Sequence, residues 1–433
     1  MTQLNASRRH FVKTTAITTS GLMIGVSLPG HKLEAAGTMH TPNAWVHIAD
    51  DNTITLLSAR SEMGQGVYTS MPMLIAEELN VDIKTVRVSI APPAAVYVNA
   101  LLGAQITGGS TSVRDGWEKL RVAGAQVREM LIAAAAAKWN VAASSLRAEN
   151  GRVIGNGVSA SYGELAAAAA KLPVPEKPAI KDPKDFRIVG KSVTRLDTPA
   201  KTNGTAVFGI DVKLPGMVYA SLEQCPVIGG KVKSFDAGKA KGMPGVIDVV
   251  QIADGVAVVA ASYWQAQKAR AAVKVVWDEG ANAKLSDAQI FADTKTAILS
   301  NKPFEVQKPV GNVIEGFGKA AKLVQAEYLS PMQAHAPLEP QNFTASFKDG
   351  KVTLIGPTQF QQGAQGTVAA ALGIKPENVT VQTTFLGGGF GRRLENDFIV
   401  QAAQISQKVG RPIKMIWSRE DDMTHDFYRP IGV

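Results

Sequence analysis

Apolar and polar residues alternate along Val379-Thr380-Val381-Gln382-Thr383-Thr384-Phe385, the period of a half-buried strand. Beyond a glycine-rich loop, Leu394, Phe398, Ala402, Ile405 and Val409 recur at helical spacing. Gly410 and then Pro412 supply the stop. The same order appears near the other end of the chain. Ile54 to Ser58 reads as a strand, Met71, Leu74, Ile75, Glu78 and Leu79 lie along a helix, and Val86 to Ile90 is the next strand. The loop Ile106-Thr107-Gly108-Gly109-Ser110-Thr111-Ser112 then leads into a long, alanine-rich helix ending near Trp139, with Ser110 or Ser112 able to cap it. From Val189 to about Trp277 the pattern is of short alternating strands separated by turns, which predicts a small α+β unit.

The two similar stretches form an internal repeat. Leu56 matches Leu354 at an offset of 298, and Val88 matches Val381 at an offset of 293. Gln65-Gly66 matches Gln362-Gly363, so each copy reads as strand, Gln-Gly turn, helix, strand. Two such lobes could clamp one elongated, polyanionic ligand between them. Lys171 to Phe186 carries Pro173, Pro175, Pro178 and Pro183 among lysines, which is linker composition, and a second linker-like stretch runs from Asn301 to Pro309. The resulting boundaries are a first lobe at 40–170, a linker at 171–186, a central domain at 187–300 and a second lobe at 310–433.

Composition narrows the chemistry. With 433 residues, 45% hydrophobic, 40 Gly and 22 Pro, the chain is globular, loop-rich and large enough for two to four domains. The net charge of +9 comes without a basic run interleaved with aromatics, which argues against nucleic-acid binding. Cys225 is the single cysteine, which excludes an intrachain disulfide and a cysteine-ligated Fe–S cluster. The six histidines show no metal-ligand spacing, so a metal would have to arrive inside an organic cofactor. The N-terminus reads Ser7-Arg8-Arg9-His10-Phe11-Val12-Lys13, the twin-arginine export pattern, followed by an apolar stretch too short and polar for a confident transmembrane helix. Residues 1–36 are therefore expected to direct export of the folded protein to the periplasm, with the segment either removed or kept as an anchor.

The richest candidate chemistry is Gly387-Gly388-Gly389-Phe390-Gly391-Arg392-Arg393. Glycines at this density belong to a loop, here between a strand end and a helix start. Bare amides with a helix dipole behind and two arginines beside suit an anion. The loop is neither a P-loop nor G-x-G-x-x-G, because no Lys-Ser/Thr pair follows and Arg392 stands where the last Gly would be. On spacing alone, a tight turn with solvated arginines is the plainer alternative.

The Gly-Gly-Gly-Phe-Gly loop and Gln333-Ala334-His335-Ala336-Pro337-Leu338-Glu339-Pro340 resemble the molybdenum hydroxylase superfamily of xanthine dehydrogenase and aldehyde oxidoreductase. Glu62-Met63-Gly64-Gln65-Gly66 lies before the glycine loop here, a permuted order similar to that of the isoquinoline oxidoreductase branch. The phrases around Arg195-x-Asp197, Lys201-x-x-Gly204, Pro244-Gly245-Val246 and Trp264-x-Ala266 resemble the α/β hammerhead domain of these large subunits.

The resemblance implies an α+β chain: two related α/β molybdopterin-binding lobes plus a hammerhead domain at 187–300. It implies molybdopterin with molybdenum, in the cytosine dinucleotide form. Gln65, Gly66, Gly108, Gly109, Gln362 and Gly363 would be phosphate candidates, and Gly387, Gly388, Gly389, Phe390, Gly391 and Arg392 would line the cofactor. Gln333 and the Phe390 backbone would flank the metal's oxygen, and no protein side chain of the chain would ligate the metal.

The implied reaction is hydroxylation of an sp² carbon of an N-heteroaromatic or an aldehyde with water-derived oxygen. Electrons would pass to a small [2Fe–2S] subunit, with a cytochrome c as a candidate carrier downstream. Two departures stand out. Leu394 occupies the position of the carboxylate found in purine hydroxylases, which implies a less polar substrate. The Gly-x-Gly-Glu motif that carries the family's general base is absent from these 433 residues. The chain is accordingly expected to be an N-terminal portion that does not turn over substrate alone, and the alternative is a non-catalytic pterin-binding or assembly protein.

Overall fold

A computed structural model describes residues 38–155, 157–300 and 310–433. The twin-arginine segment and the stretch from Asn301 to Pro309 lie outside the described residues.

The first lobe begins with β1 (Met39–Asn43), β2 (Val46–Ala49), β3 (Ile54–Ser58) and β4 (Arg87–Ile90), hydrogen-bonded in that order. β1, β2 and β3 are antiparallel neighbours, and β4 joins β3 in parallel after a crossover through α1 (Val67–Leu79). The helix α2 (Ser112–Trp139) packs on α1 so closely that a Cβ on Gly124 would fall 2.4 Å from the Ile75 carbonyl oxygen. Its N-cap is Thr111, and neither Ser110 nor Ser112 caps it; the Thr111 hydroxyl bonds Gly108 and Asn99 instead. A three-stranded sheet of β5 (Arg147–Glu149), β6 (Arg152–Gly155) and β7 (Val158–Ser161) and the helix α3 (Tyr162–Ala169) complete this lobe. Its core includes Ile48, Leu56, Ile75, Leu131 and Tyr162.

The central segment holds β8 (Val218–Gln224), β9 (Lys231–Asp236), β10 (Val246–Ile252), β11 (Gly255–Ala260), α4 (Tyr263–Arg270) and β12 (Lys274–Asp278). After α5 (Asp287–Leu299) and α6 (Val313–Lys319) come β13 (Asn342–Lys348), β14 (Lys351–Gly356), α7 (Gln361–Leu372), β15 (Val379–Thr383), α8 (Asp397–Val409), β16 (Ile413–Ile416) and α9 (Arg419–Thr424).

The central segment does not stand apart as expected. A seven-stranded sheet runs β10-β11-β8-β16-β13-β14-β15, joined by parallel pairing of Val218 with Ile413 and Ala220 with Met415. The reason lies in β11, which is buried along its whole length. Val256 and Val258 pack against Ala240 and Val249 on one face, while Ala257 and Val259 join Phe343, Phe398 and Met415 on the other. A strand apolar on both faces needs cover on both, and the second lobe provides one of them.

The repeat is present in the structure. Leu56 pairs with Val88 and Leu354 pairs with Val381, the positions related by sequence offset. In each copy a hairpin precedes a strand–helix–parallel strand unit, followed by a loop and a second helix, α2 or α8, packed on the first.

The Pro/Lys stretch is tied down, contrary to the linker reading. The buried Glu77 carboxylate accepts the N–H groups of Arg187, Ile188 and Val189 and pairs with Lys181 at 2.6 Å. Buried Glu78 holds the Lys181 N–H together with Arg121 and Arg128. Residues 285–329, by contrast, bury no described side chain, and Leu299, Ile314 and Val324 stand 83%, 85% and 83% exposed.

Glu77→Gln should release this strap. Limited trypsin digestion is expected to cut after Lys184 and Arg187 about tenfold faster in the variant than in the wild type, as local opening becomes easier by about 1.4 kcal/mol. Unchanged cleavage would mean that the strap is held by something other than this carboxylate.

Candidate functional site

The glycine loop follows β15 and is fixed from below by Glu339. The Gly387 N–H donates to Glu339 Oε2 (2.9 Å), and the Glu339 N–H donates to the Gly387 carbonyl (3.0 Å). A Cβ on Gly387 would sit 2.3 Å from Glu339 Cβ, so only glycine permits this approach. Glu339 also accepts from Ile210 N–H and Asn342 Nδ2 and pairs with Arg393, so its carboxylate is engaged as an anchor.

Arg393, fully buried, donates Nε to the Gly388 carbonyl (3.0 Å) and Nη2 to the Glu339 carbonyl (2.7 Å). In a trans peptide the C=O and the next N–H point in opposite directions. With the Gly387 and Gly388 carbonyls turned onto Glu339 and Arg393, the N–H groups of Gly388 and Gly389 turn away from them. Phe390 adopts φ 55° and stands 73% exposed at the loop tip.

Three further segments meet at this loop. Gln359 Oε1 accepts the Gly391 N–H (3.2 Å), while its Nε2 donates to the Thr107 carbonyl (2.9 Å). A Cβ on Gly389 would fall 2.5 Å from Gln359 Oε1 and 2.7 Å from Met63 Sδ. The Leu386 N–H bonds the Glu62 carbonyl (3.0 Å), and the Gln105 N–H bonds Gln362 Oε1 (2.9 Å). The structure thus gathers Glu62–Gly66, Gln105–Gly109, Gln359–Gly363 and Gly387–Gly391 around one region. Leu394 reaches Gly108, with 3.8 Å from its Cδ1 to a Cβ built there.

Several expected roles differ in the structure. The Gln65 side chain folds back on its own turn, accepting from Met63 N–H and donating to the Ser61 carbonyl. The start of α1 already holds an anion, since the buried Glu62 carboxylate accepts the N–H groups of Gly64, Gly66 and Tyr68 at 2.8, 3.2 and 2.9 Å. The start of α7, where Gln362 and Gly363 lie, has no side-chain cap. No α-helix begins directly behind the glycine loop: a 3-10 turn at Arg392–Leu394 intervenes, and α8 starts at Asp397. Arg392 is fully buried, forked onto Asp397 (2.9 and 2.7 Å), with Nε 3.0 Å from Asp426 Oδ1 although its N–H is not directed there. Neither arginine is solvated.

Gln333 is exposed and its Oε1 accepts from Arg429 Nε (3.2 Å), which makes its NH2 the end that can donate outward. Gly109 and Ser110 are exposed in left-handed backbone (φ 59° and 53°).

Sequence reasoning gave no role to Glu62, Gln359, His335 or Asp426. The Gln-Gly match, with its offset of 297, places Gln359 opposite Glu62, and this was the signal available for both. The phrase Arg195-x-Asp197…Lys201 also has a concrete task. Arg195 Nη2 pairs with Asp197 (2.7 Å) and Glu62 (3.0 Å), and Lys201 pairs with Asp197 (2.6 Å). Burial works to raise the Asp197 pKa, but hydrogen bonds from Arg195 and Lys201 outweigh it and bring it down to about 2.

Comparison with known proteins agrees with this architecture. The molybdopterin cofactor-binding domain matches twice, over residues 2–214 and 293–430. The chain is 32% identical to the beta subunit of isoquinoline 1-oxidoreductase from Brevundimonas diminuta, over 98% of this chain and 60% of that one. It is 33% identical to a membrane-bound aldehyde dehydrogenase (pyrroloquinoline-quinone) of Gluconacetobacter polyoxogenes, over 100% and 58%. It is 28% identical to a nicotinate dehydrogenase subunit of Pseudomonas putida, over 87% and 32%. The chain spans at most about six-tenths of the length of these relatives. It belongs to the molybdopterin-binding large-subunit family of the molybdenum hydroxylases.

Asp197→Asn should cost about 3–5 kcal/mol at neutral pH, because Arg195 and Lys201 lose a buried partner. A depressed carboxylate stabilises the fold above its unfolded pKa, near 3.9, and that contribution falls as pH drops toward about 2. Denaturant titrations of the two proteins should therefore differ most at neutral pH and converge between about pH 4 and pH 2. A gap that is constant with pH would contradict the assignment.

Proposed function

We propose that this member of the family is the large subunit, or its N-terminal portion, of a periplasmic molybdenum hydroxylase acting on an N-heteroaromatic such as isoquinoline, or on an aldehyde. The observation that carries the reading is the glycine loop itself, its Gly387 and Gly388 carbonyls tied to Glu339 and Arg393, assembled between two repeats beside the start of α7, which has no side-chain cap. This donor set fits a polyanionic pterin: bare backbone at close approach, an uncapped helix start, and no competing carboxylate of the kind that Glu62 supplies to α1.

Bound molybdopterin, in its cytosine dinucleotide form, would supply a molybdenum centre for two-electron oxidation with oxygen drawn from water. The Gly387–Gly391 backbone would seat it, with the Gln361–Gly363 and Gly108–Ser110 turns as phosphate candidates. The Gln333 NH2, its oxygen held by Arg429, would donate a hydrogen bond to a developing negative oxygen. Exposed Phe390 and Leu338 and the side chain of Leu394 would favour an apolar ring over a purine. A small [2Fe–2S] subunit, with a cytochrome c downstream, would take the electrons, and the N-terminal twin-arginine segment would direct export.

An alternative reading as a pterin-binding or assembly protein without turnover is favoured by one observation: the carboxylate next to the loop, Glu339, is spent on Gly387, Asn342 and Arg393.

Expression of the chain with cofactor-maturation factors should yield protein carrying both pterin and molybdenum. Gly389→Val, which drives methyls into Gln359 and Met63, should lower both contents about tenfold or more. Wild-type protein devoid of pterin would overturn the cofactor reading. In the assembled enzyme, dye reduction with isoquinoline or aldehydes should exceed that with xanthine by roughly tenfold or more. Efficient xanthine turnover would overturn the substrate assignment.

A further inference from the structure

We propose that His335 is a positioning residue of the site, presenting its Nε2 lone pair beside Gly391 as the acceptor for an N–H or O–H donor of the ligand seated on the glycine loop. The inference rests on the cofactor reading above and adds to it a specific side-chain contact.

Asp426 fixes the imidazole from behind. Its carboxylate accepts the His335 backbone N–H and lies 3.0 and 3.1 Å from Nδ1. An ionised carboxylate can only accept, so Nδ1 carries the proton and Nε2 of the neutral ring is left as an acceptor. Asp426 is itself enclosed: its side chain is 1% exposed, and the Arg392 Nε stands 3.0 Å from its Oδ1. The ring therefore has one orientation and one tautomer, set by a buried Arg–Asp pair.

The free edge of the ring faces the loop. A Cβ on Gly391 would lie 3.5 Å from His335 Nε2 and 3.8 Å from Cδ2, so the bare α-carbon of Gly391 leaves that edge uncovered. The His335 side chain is 22% exposed, and among the described residues Nε2 has no partner. The three other histidine rings among the described residues are arranged differently: His40 Nε2 is paired with Asp50, His47 is buried and His425 half-buried, and burial lowers the pKa of both. A partly exposed acceptor with a fixed tautomer, next to amides that are all donors, gives the site both polarities. Backbone N–H groups would take the ligand's anionic oxygens, and Nε2 would take a donor.

The test uses the full chain produced in hosts with and without molybdopterin synthesis. Diethyl pyrocarbonate acylates an accessible, unprotonated Nε2, and the extent at His335 can be read by peptide mass spectrometry. Pterin content is measured in parallel by fluorescence after oxidation. Labelling of His335 should be about tenfold slower in pterin-loaded than in pterin-free protein, while labelling elsewhere is unchanged. Asp426→Asn, whose amide can donate to Nδ1 and so place the proton on Nε2, should lower pterin content about three- to tenfold, as for a lost hydrogen bond. His335→Gln, which keeps an acceptor near the Nε2 position, should retain more pterin than His335→Phe.

Loaded protein in which His335 labels as fast as in pterin-free protein would overturn this contact alone and leave the cofactor reading standing. Equal pterin content in His335→Phe and His335→Gln would overturn it as well. A wild-type chain without pterin would overturn the cofactor reading and this contact together.

Discussion

The site depends on the placement of one buried carboxamide. Gln359, 3% exposed, bonds the glycine loop through Oε1 and the 105–109 loop through Nε2. Its backbone does the same, accepting from the Thr107 N–H (2.8 Å) and donating to the Arg393 carbonyl (2.9 Å). All four of its hydrogen-bonding groups are engaged, two with the glycine-loop segment of its own lobe and two with Thr107 of the other. A carboxamide buried at such a junction must be fully paired, because each group left unpaired would cost about 1–3 kcal/mol. That requirement fixes the spacing between the lobes, and the space left over at Gly389 is too small for a Cβ. Ser61 reinforces the junction by bonding the Thr358 carbonyl and Gln361 Nε2.

The repeat explains how two equivalent helix starts come to differ. Glu62 and Gln359 are related by the offset of 297 at the Gln-Gly turn. In the first copy the carboxylate turns inward, neutralises the start of α1, and is neutralised in turn by Arg195 and Lys201. That makes the first copy a docking point for the segment leading into the central domain. In the second copy the neutral carboxamide of Gln359 takes the place of the carboxylate, and the helix start has no side-chain cap. A duplicated unit has thus become structural at one helix start and available for a ligand at the other, through a single difference in side-chain charge.

Much of this fold was legible in the sequence, because periodicity and repeat offsets report on local structure. The strand at Val379–Thr383, the helix ending at Gly410 and the correspondence of the pair Leu56–Val88 with Leu354–Val381 follow from them, although the pairing itself is seen only in the structure. The union of β8 with β16 could not be read, since a parallel pairing across nearly two hundred residues leaves no local mark. The Pro/Lys stretch misled for a related reason. Its composition is that of a linker, yet Glu77 and Glu78, a hundred residues earlier on α1, pin it. At the site, the glycine loop announced itself, whereas the His335–Asp426 contact joins residues 91 apart, neither belonging to a spacing motif.

The two loop arginines show how a correct motif can carry a different physical role. Beside a glycine loop, arginine suggests direct pairing with an anion, but full burial removes both side chains from that task. A buried guanidinium needs partners in its own plane: Arg392 forks onto Asp397, with Asp426 close beside it, and Arg393 bonds Glu339 and the Gly388 carbonyl. Lysine could not substitute at either position, because a point charge cannot fork onto Asp397 or bridge two carbonyls. Their effect on a ligand is indirect. By bonding the Gly388 carbonyl, Arg393 fixes the orientation of the Gly388–Gly389 peptide, and Arg392 places its charge 3.0 Å from Asp426, the carboxylate that sets the tautomer of His335. The positive edge offered at the loop is then made of peptide dipoles, whose directions are fixed by charges that the ligand does not meet.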